Sequence, residues 1–438
     1  MKMDARSLAF VILSRFQEST LKIDQIISST FSKFNVNDQI KGRTKVIVNE
    51  VVRLRDRLDL MIEHASNRKK IHIKNKTINI LRIGFYELVI DNKVPDYAAV
   101  NSAVNIAGKE LNRKGKGFVN AVLRKMIFII DNDRNWYKSL EKRSAWNSIP
   151  NWLQARWRSN YNESKFIKMV NYFNTPPPNF IRIDDRKNTV LDIEKALKNK
   201  GVSCDIFSGR FIRIFEGYTK LLKTGLFRDG KISIQNPASA SVVDCLGAGL
   251  NDSVLDVCAA PGTKSLYLAN IVGEDGEIFA SDIDYIRIIK AKADMKRHRR
   301  YNIKWDQKDA SKAEYQMSNY ILIDAPCTGT GVIGRKPDIR WRRKSSDIKK
   351  MSKIQLEILN NCSKFLNRSG TLVYATCSLE PEENWGVVEK FLKLNRDFFI
   401  DTIPSTVPKP WIDNRGALST IPYEHGVDGL FAAKMVRA

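Results

Sequence analysis

The sequence predicts a multidomain chain in three successive architectures: an all-α helical bundle, a small α+β middle domain, and an α/β domain on a mostly parallel sheet. Three observations carry this. Residues 1–140 place apolar side chains at helical spacing and nowhere at strand spacing. At "NTPPPNFIRID" (Asn174–Asp184) three prolines stop any helix, and an alternating strand, Phe180–Ile183, follows. From about Ile232 onward apolar runs alternate with helix-length segments, the pattern of parallel strands joined by crossover helices on both faces.

Within the first region "VNSAVNIAGKEL" sets Val100, Ala103, Val104 and Ala107 on one face, and "FVNAVLRKMIFII" does the same with Val119, Val122, Leu123 and Met126. Between them "NRKGKG" (Asn112–Gly117) reads as a basic turn broken by glycines. The bundle offers charge but no cluster of His, Cys or acids suited to chemistry, so its expected work is binding. The middle domain adds a helix near Val190–Lys198 and a strand, Phe211–Phe215. The α/β strands are expected at Val254–Val257, Ile278–Ser281, Ile321–Ile323 and Thr371–Ala375. The domain boundaries are accordingly 1–140, 141–229 (a linker and the small α+β domain) and 230–438.

The chain has 438 residues, 28% charged and 43% hydrophobic, a globular composition with room for several cores. Its net charge is +25, and residues 1–150 alone hold 28 Lys and Arg against 15 Asp and Glu. A long chain that basic is expected to meet a polyanion, nucleic acid first, the alternative being a surface charged for solubility. "MKMDARSLAFVIL" does not read as a secretory leader, because its apolar run is short and Asp4 and Arg6 precede it. No apolar stretch approaches the length of a membrane span. Six cysteines are scattered without a C-x-x-C pair, which argues against a disulfide framework or a zinc site. The expectation is a cytoplasmic protein without metal or membrane, acting as a monomer.

"VLDVCAAPGTKSLYLANIV" (Val254–Val272) reads as strand, small-residue turn and helix, with Asp256 at the strand end and Ala259–Gly262 open to a ligand. "PGTKS" fails as a P-loop, since Thr263 stands where glycine must precede Lys264. A glycine-poor turn suits a ligand without a pyrophosphate. "FASDID" ends the next strand with Asp282, placed for ribose hydroxyls, and "WDQKDAS" puts Asp309 after a third strand, placed for an adenine amino group. One acid of this kind is commonly a helix cap. Three at successive strand ends point to an adenosyl ligand that is not phosphorylated, S-adenosylmethionine.

Cys327 in "DAPCTG" and Cys377 in "YATCS" each follow an apolar strand. A free cysteine is often an inert hydrophobe, the reading kept for Cys258 and Cys362. Cys327 and Cys377 instead sit among turn and polar residues, a setting that permits a thiolate if charge such as that of Lys264 is near. A thiolate, S-adenosylmethionine and a polyanion together suit one reaction. Carbon 5 of cytosine accepts a methyl only after sulfur adds to carbon 6, and an acid such as Asp324 at the N3/N4 edge stabilises the adduct.

"LDVCAAPGTKS", "DAPCTGTGVIGRKPDIRW" (Asp324–Trp341) and "YATCSLEPEEN" (Tyr374–Asn384) resemble the successive motifs of the RsmB/NOP family, RNA cytosine-5 methyltransferases, in its bacterial 16S ribosomal RNA type. "LRIGFYELVIDNKVPDYAAVNSAVNIA" (Leu81–Ala107) and "GFVNAVLR" (Gly117–Arg124) resemble the NusB-like RNA-binding domain of such enzymes, "PPPNFIRID" the middle domain, and "ISIQNPAS" the strand entering a Rossmann-like catalytic domain. The resemblance implies Cys377 as nucleophile, Cys327 as the residue assisting adduct breakdown, and S-adenosylmethionine contacts at Cys258, Ala259, Ala260, Pro261, Gly262, Thr263, Lys264, Asp282, Asp309 and Asp324. It implies 16S rRNA, free or in an assembly intermediate, as partner; an RNA-binding assembly factor with a vestigial catalytic domain and a tRNA methyltransferase are the alternatives.

Thr263 stands where the family commonly has glycine, and Asn236 where aspartate is usual, so altered loop geometry at Thr263 is expected. "GRKPDIRWRRK" (Gly334–Lys344), with six Lys and Arg and one Trp, is expected to meet RNA phosphates and a stacked base.

Overall fold

A computed structural model describes residues 3–91, 93–184 and 188–438; Met1, Lys2 and Asn92, which fall in segments discussed above, lie outside the described residues. The chain divides into two compact units, Met1–Pro176 with Ile333–Arg342, and Pro177–Val332 with Arg343–Ala438.

In the first unit, helices Ala5–Glu18, Ile23–Lys33, Asp38–Arg53, Arg55–Ser66, Asn75–Phe85, Asp96–Glu110 and Arg113–Asn132 bury their apolar faces in one core. The faces read from periodicity are the buried ones, with Val100, Ala103 and Ala107 on one helix and Val119, Val122, Leu123 and Met126 on the next. Helix starts are fixed by side chains that accept an orphan amide: Asp4 from Ser7, Asn37 from Ile40, Asn162 from Lys165. "NRKGKG" departs from its expected turn. Asn112 accepts from the Gly115 amide at 2.9 Å and starts the 20-residue helix Arg113–Asn132. Such a cap contributes about 1 kcal/mol, comparable to what a glycine costs in a helix.

The basic segment after Cys327 also departs from expectation, since Ile333–Arg342 is packed into this helical unit. Arg340 is 1% exposed and donates to the carbonyls of Arg53 and Ser148, each at 2.9 Å, to that of Phe173, and to Asn174 Oδ1 at 2.7 Å. Arg53 and Phe173 are the last residues of two helices, whose unpaired carbonyls carry partial negative charge. Trp341 donates to the Val52 carbonyl at 2.7 Å with the Arg55 guanidinium 3.5 Å from its ring, and Arg342 donates to the Phe16 carbonyl at 2.6 Å. These three side chains hold helix ends, so they do not form the expected phosphate and base surface.

The second unit holds two sheets among the described residues. Strands β1 (Asn179–Ile183), β2 (Ser203–Ser208), β3 (Phe211–Glu216) and β4 (Ile232–Ile234) form an antiparallel sheet in the order β2-β3-β1-β4, with the helix Val190–Asn199 contributing to its core. The larger sheet contains β5 (Ser253–Val257), β6 (Glu277–Asp282), β7 (Ile303–Gln307), β8 (Ser318–Asp324), β9 (Leu366–Thr376), β10 (Phe398–Ile400), β11 (Leu418–Ser419) and β12 (Phe431–Arg437). Its order is β10-β12-β9-β8-β5-β6-β7, with β11 beside β12. From β9 to β7 every pairing is parallel, and β12 runs antiparallel to β9. Alternate residues feed two cores. Val254, Leu322 and Val373 join Leu266 and Leu268 of the helix Thr263–Val272, while Leu255, Ile321 and Leu372 join Leu359 and Val388 from helices Ser345–Cys362 and Trp385–Leu394. Both faces are therefore covered, as continuous apolar strands require.

A candidate active site at the sheet's carboxyl edge

The chain runs β5, β6, β7 toward one edge and then returns to β8 and β9 on the other side of β5. Loops leaving β5 and β8 diverge at such a reversal and open a crevice beyond the strands' carboxyl ends. The turn after β5, Cys258–Gly262, lies there. Cys258 has φ +60, the Ala260–Pro261 bond is cis, and Gly262 has φ +92. A side chain at Gly262 would also crowd Ala291 and Trp305, at 3.0 and 3.1 Å, so glycine is required here on two counts. Thr263 is the first residue of a regular helix and is absent from the left-handed positions. A β-branched residue is at ease there, and the expected distortion at Thr263 does not occur.

The acids divide by environment. Asp282 ends β6 and is 3% exposed; its Oδ2 accepts from the Ala260 amide at 3.0 Å and its Oδ1 from Asp284 at 2.9 Å, while Arg287 pairs with it at 3.1 Å. Arg287 was not anticipated, and it also donates to the Ala260 carbonyl. Asp309 lies two residues past β7 and accepts from the Ser311 hydroxyl at 2.7 Å and amide at 3.1 Å; these bonds hold its carboxyl below the usual range. Asp324 ends β8 and pairs with Lys264 Nζ at 2.7 Å. Burial works against the Lys264 charge, yet Asp324, and a thiolate at Cys377, favour it enough that the ammonium's pKa is raised. Asp256 differs from the ligand-facing role its strand-end position suggested. It is 0% exposed, accepts from Ser265 Oγ at 2.6 Å, and leaves Oδ1 without a partner. Burial raises its pKa to about 7, against the opposing Ser265 bond.

The two cysteines, 50 residues apart in sequence, meet with their sulfurs at 3.2 Å. Register explains this: β8 and β9 are parallel neighbours with Asp324 opposite Ala375, so the chains that leave them carry Cys327 and Cys377 to one point. The Cys377 amide also donates to the Cys327 sulfur at 3.3 Å. The hydrogen bond to Cys377 and then burial push the Cys327 thiol up. Burial likewise raises Cys258 and takes Cys362 to about 12, so neither is poised to ionise.

Beneath the pair lies a carboxylate to which the sequence assigned no role. Glu383 is 0% exposed; Oε1 accepts from the Thr328 amide at 2.8 Å and Gln355 Nε2 at 2.9 Å, and Oε2 from Ser378 Oγ at 2.6 Å and the Thr328 hydroxyl. Arg343 donates to the carbonyls of Cys327 and Thr328, at 3.0 and 3.1 Å. An acid in "LEPEEN" just before a helix was the available signal, but nothing local shows that it faces Thr328 fifty-five residues earlier.

A parallel α/β sheet with acids at the ends of β6 and β8, a glycine-poor turn after β5 and a cysteine pair over β8 and β9 defines a Rossmann-like methyltransferase domain. The chain belongs to the 16S rRNA methyltransferase RsmB/F family, whose model matches residues 244–436; the NusB family matches 3–128, and an RsmF/B-like ferredoxin-like domain 149–208. It is thereby an RNA methyltransferase. It is 30% identical to the ribosomal RNA small subunit methyltransferase B of Photorhabdus laumondii, across 94% of this chain and 95% of that one. The probable ribosomal RNA small subunit methyltransferase B of Bacillus subtilis is 29% identical across 99% of both. The crystal structure of PH0851 shares the fold over the full length of both chains, with TM-score 0.79 at 23% identity.

Proposed function

We propose that this chain transfers a methyl group from S-adenosylmethionine to carbon 5 of a cytosine in 16S rRNA through a covalent Cys377–C6 adduct. The observation that carries the reading is the pair of sulfurs 3.2 Å apart at the sheet edge, with the Lys264–Asp324 ion pair at the same edge. The cofactor would supply an electrophilic methyl on a sulfonium. The chain's donor set fits it: small residues and Gly262 in the turn after β5, carboxylates at Asp282, Asp309 and Asp324, and no glycine-rich phosphate cradle. Cys258, Ala259, Ala260, Pro261, Thr263 and Lys264 would line the remainder of that turn.

In this reading Cys377 adds as thiolate to carbon 6, favoured by the Lys264 charge. Asp324 faces the N3/N4 edge of the ring. After methyl transfer a base removes the carbon-5 proton and the Cys377 sulfur leaves, with Cys327 assisting that release. The cytosine must be unstacked to reach the sulfur. Bisulfite sequencing of ribosomal RNA from cells with and without the gene tests reaction and substrate together. One protected small-subunit cytosine should vanish on deletion; unchanged protection everywhere would refute the reading and favour a binding factor. On 5-fluorocytosine RNA, Cys377→Ala should abolish covalent trapping and turnover, while Cys327→Ala should accumulate the adduct. The opposite pattern would reverse the two roles.

A further inference from the structure

Two thiols 3.2 Å apart cannot both be the nucleophile, and the sulfurs alone do not say what makes them unequal. Both cysteine loops rest on one carboxylate below them. Glu383 accepts from the amide and hydroxyl of Thr328, the residue after Cys327, and from the hydroxyl of Ser378, the residue after Cys377. Its fourth donor, Gln355, also donates to the Pro326 carbonyl at 2.9 Å, so Pro326, Thr328 and Ser378 are tied to one carboxylate. Asn384 extends the clamp, donating to the Ser378 carbonyl at 2.9 Å and accepting from Thr376 Oγ1 at 2.6 Å. No lysine or arginine is among these donors. A carboxylate held by neutral donors carries a charge that none of those donors cancels, and it acts on the titratable groups around it.

We infer that Glu383 is a positioning residue that locks both cysteine loops and, by its charge, fixes Cys327 as the proton-holding partner of Cys377. The inference rests on the assignment of Cys377 as nucleophile. Other groups facing Cys327 are Cys377, Tyr374 and Arg343, with Lys264 and Asp324 beyond Cys377. The hydrogen bond to Cys377 and burial do most to raise the Cys327 pKa and the Glu383 charge adds to them, whereas Lys264 interacts favourably with a thiolate at Cys377. A protonated Cys327 can donate to the Cys377 sulfur, orient it, and hold a proton for the sulfur that leaves.

Glu383→Gln separates charge from geometry. The amide oxygen can accept the two N–H donors at the Oε1 position, and the amide nitrogen meets two hydroxyls able to turn and accept. The experiment uses the full chain in the Cys377→Ala background and follows iodoacetamide alkylation of Cys327 against pH, with peptide mass spectrometry to isolate that cysteine. Adding Glu383→Gln should lower the alkylation midpoint by on the order of one pH unit, as removal of an adjacent like charge does. Glu383→Asp, which keeps the charge but shortens the reach, should leave the midpoint in place; with Cys377 intact it should slow trapping on 5-fluorocytosine RNA. An unmoved midpoint in folded Glu383→Gln would overturn the inference. Should that variant fail to fold, a lowered midpoint in Glu383→Asp would overturn it equally. Alkylation needs no methyl transfer, so the inference can fail while the cytosine-5 reading stands, and the reverse.

Discussion

Replacing Asp256 by Asn should stabilise the protein in a pH-dependent way. Asp256 is 0% exposed, with one oxygen bound by Ser265 and the other without a partner. Its pKa is raised from 3.8 to about 7 in the folded chain, chiefly by burial. The folded state therefore holds this proton more tightly than the unfolded one, so stability falls as pH rises from about 4 to about 7 and is level above. A shift of about three units corresponds to roughly 4 kcal/mol lost across that window. Asn carries no charge and escapes this loss, while its amide nitrogen inherits the unpartnered position at a pH-independent cost of about 1–3 kcal/mol. The variant should thus be level with or below the parent near pH 4 and gain on it, by roughly 4 kcal/mol in difference, up to about pH 7, with no further gain above. Urea denaturation of both proteins at several pH values measures this directly, other titrating groups largely cancelling in the comparison. A stability difference that stays constant with pH would refute the account of Asp256 as a buried, proton-holding carboxyl.

Gly331→Ala should cost more than about 3 kcal/mol and lower methyl transfer, because a side chain there runs into the Gly429 carbonyl, two backbones that cannot both yield; thermal melting with a transfer assay would show it. Gly117→Ala, where nothing lies within 4 Å in a helix, should stabilise by up to about 1 kcal/mol in the same melting assay. Arg340→Met should destabilise the helical unit by several kcal/mol, since it strands carbonyls at two helix ends, and limited proteolysis within residues 1–176 should accelerate. Thr263→Gly should leave cofactor affinity by calorimetry unchanged within about twofold and lower stability by a few tenths of a kcal/mol, because the position is ordinary helix.

The sequence disclosed what depends on short-range pattern. Runs such as Val254–Val257 and Ile321–Ile323 became β5 and β8 because both faces of each are buried, with Asp256 the one polar residue in either run. β10 and β11 escaped notice for another reason: they are three and two residues long, too short for any periodicity. "NRKGKG" misled because glycine usually breaks helices, whereas one Asn cap offset that tendency. Arg340 and Trp341 misled more deeply. A basic, aromatic stretch looks alike whether it meets phosphate or helix-end carbonyls, and only the tertiary structure supplies those carbonyls.

The same limit bears on the cysteines. That Cys327 and Cys377 follow separate strands was legible; that they touch depends on β8 lying beside β9, a parallel pairing between strands separated by a long crossover. Once the register sets Asp324 opposite Ala375, every further consequence is local. The Cys327 loop meets the Cys377 loop, leaving polar groups of Thr328 and Ser378 buried away from solvent. Buried donors of this kind need an acceptor, and an apolar filler would leave the Thr328 amide unpaired and the two hydroxyls only each other and Thr330 to turn to. A single carboxylate, with two oxygens and about four acceptor positions, accepts all four donors without either hydroxyl having to turn. Glu383 is therefore demanded first by the packing of two loops, and the influence of its charge on Cys327 follows from that placement.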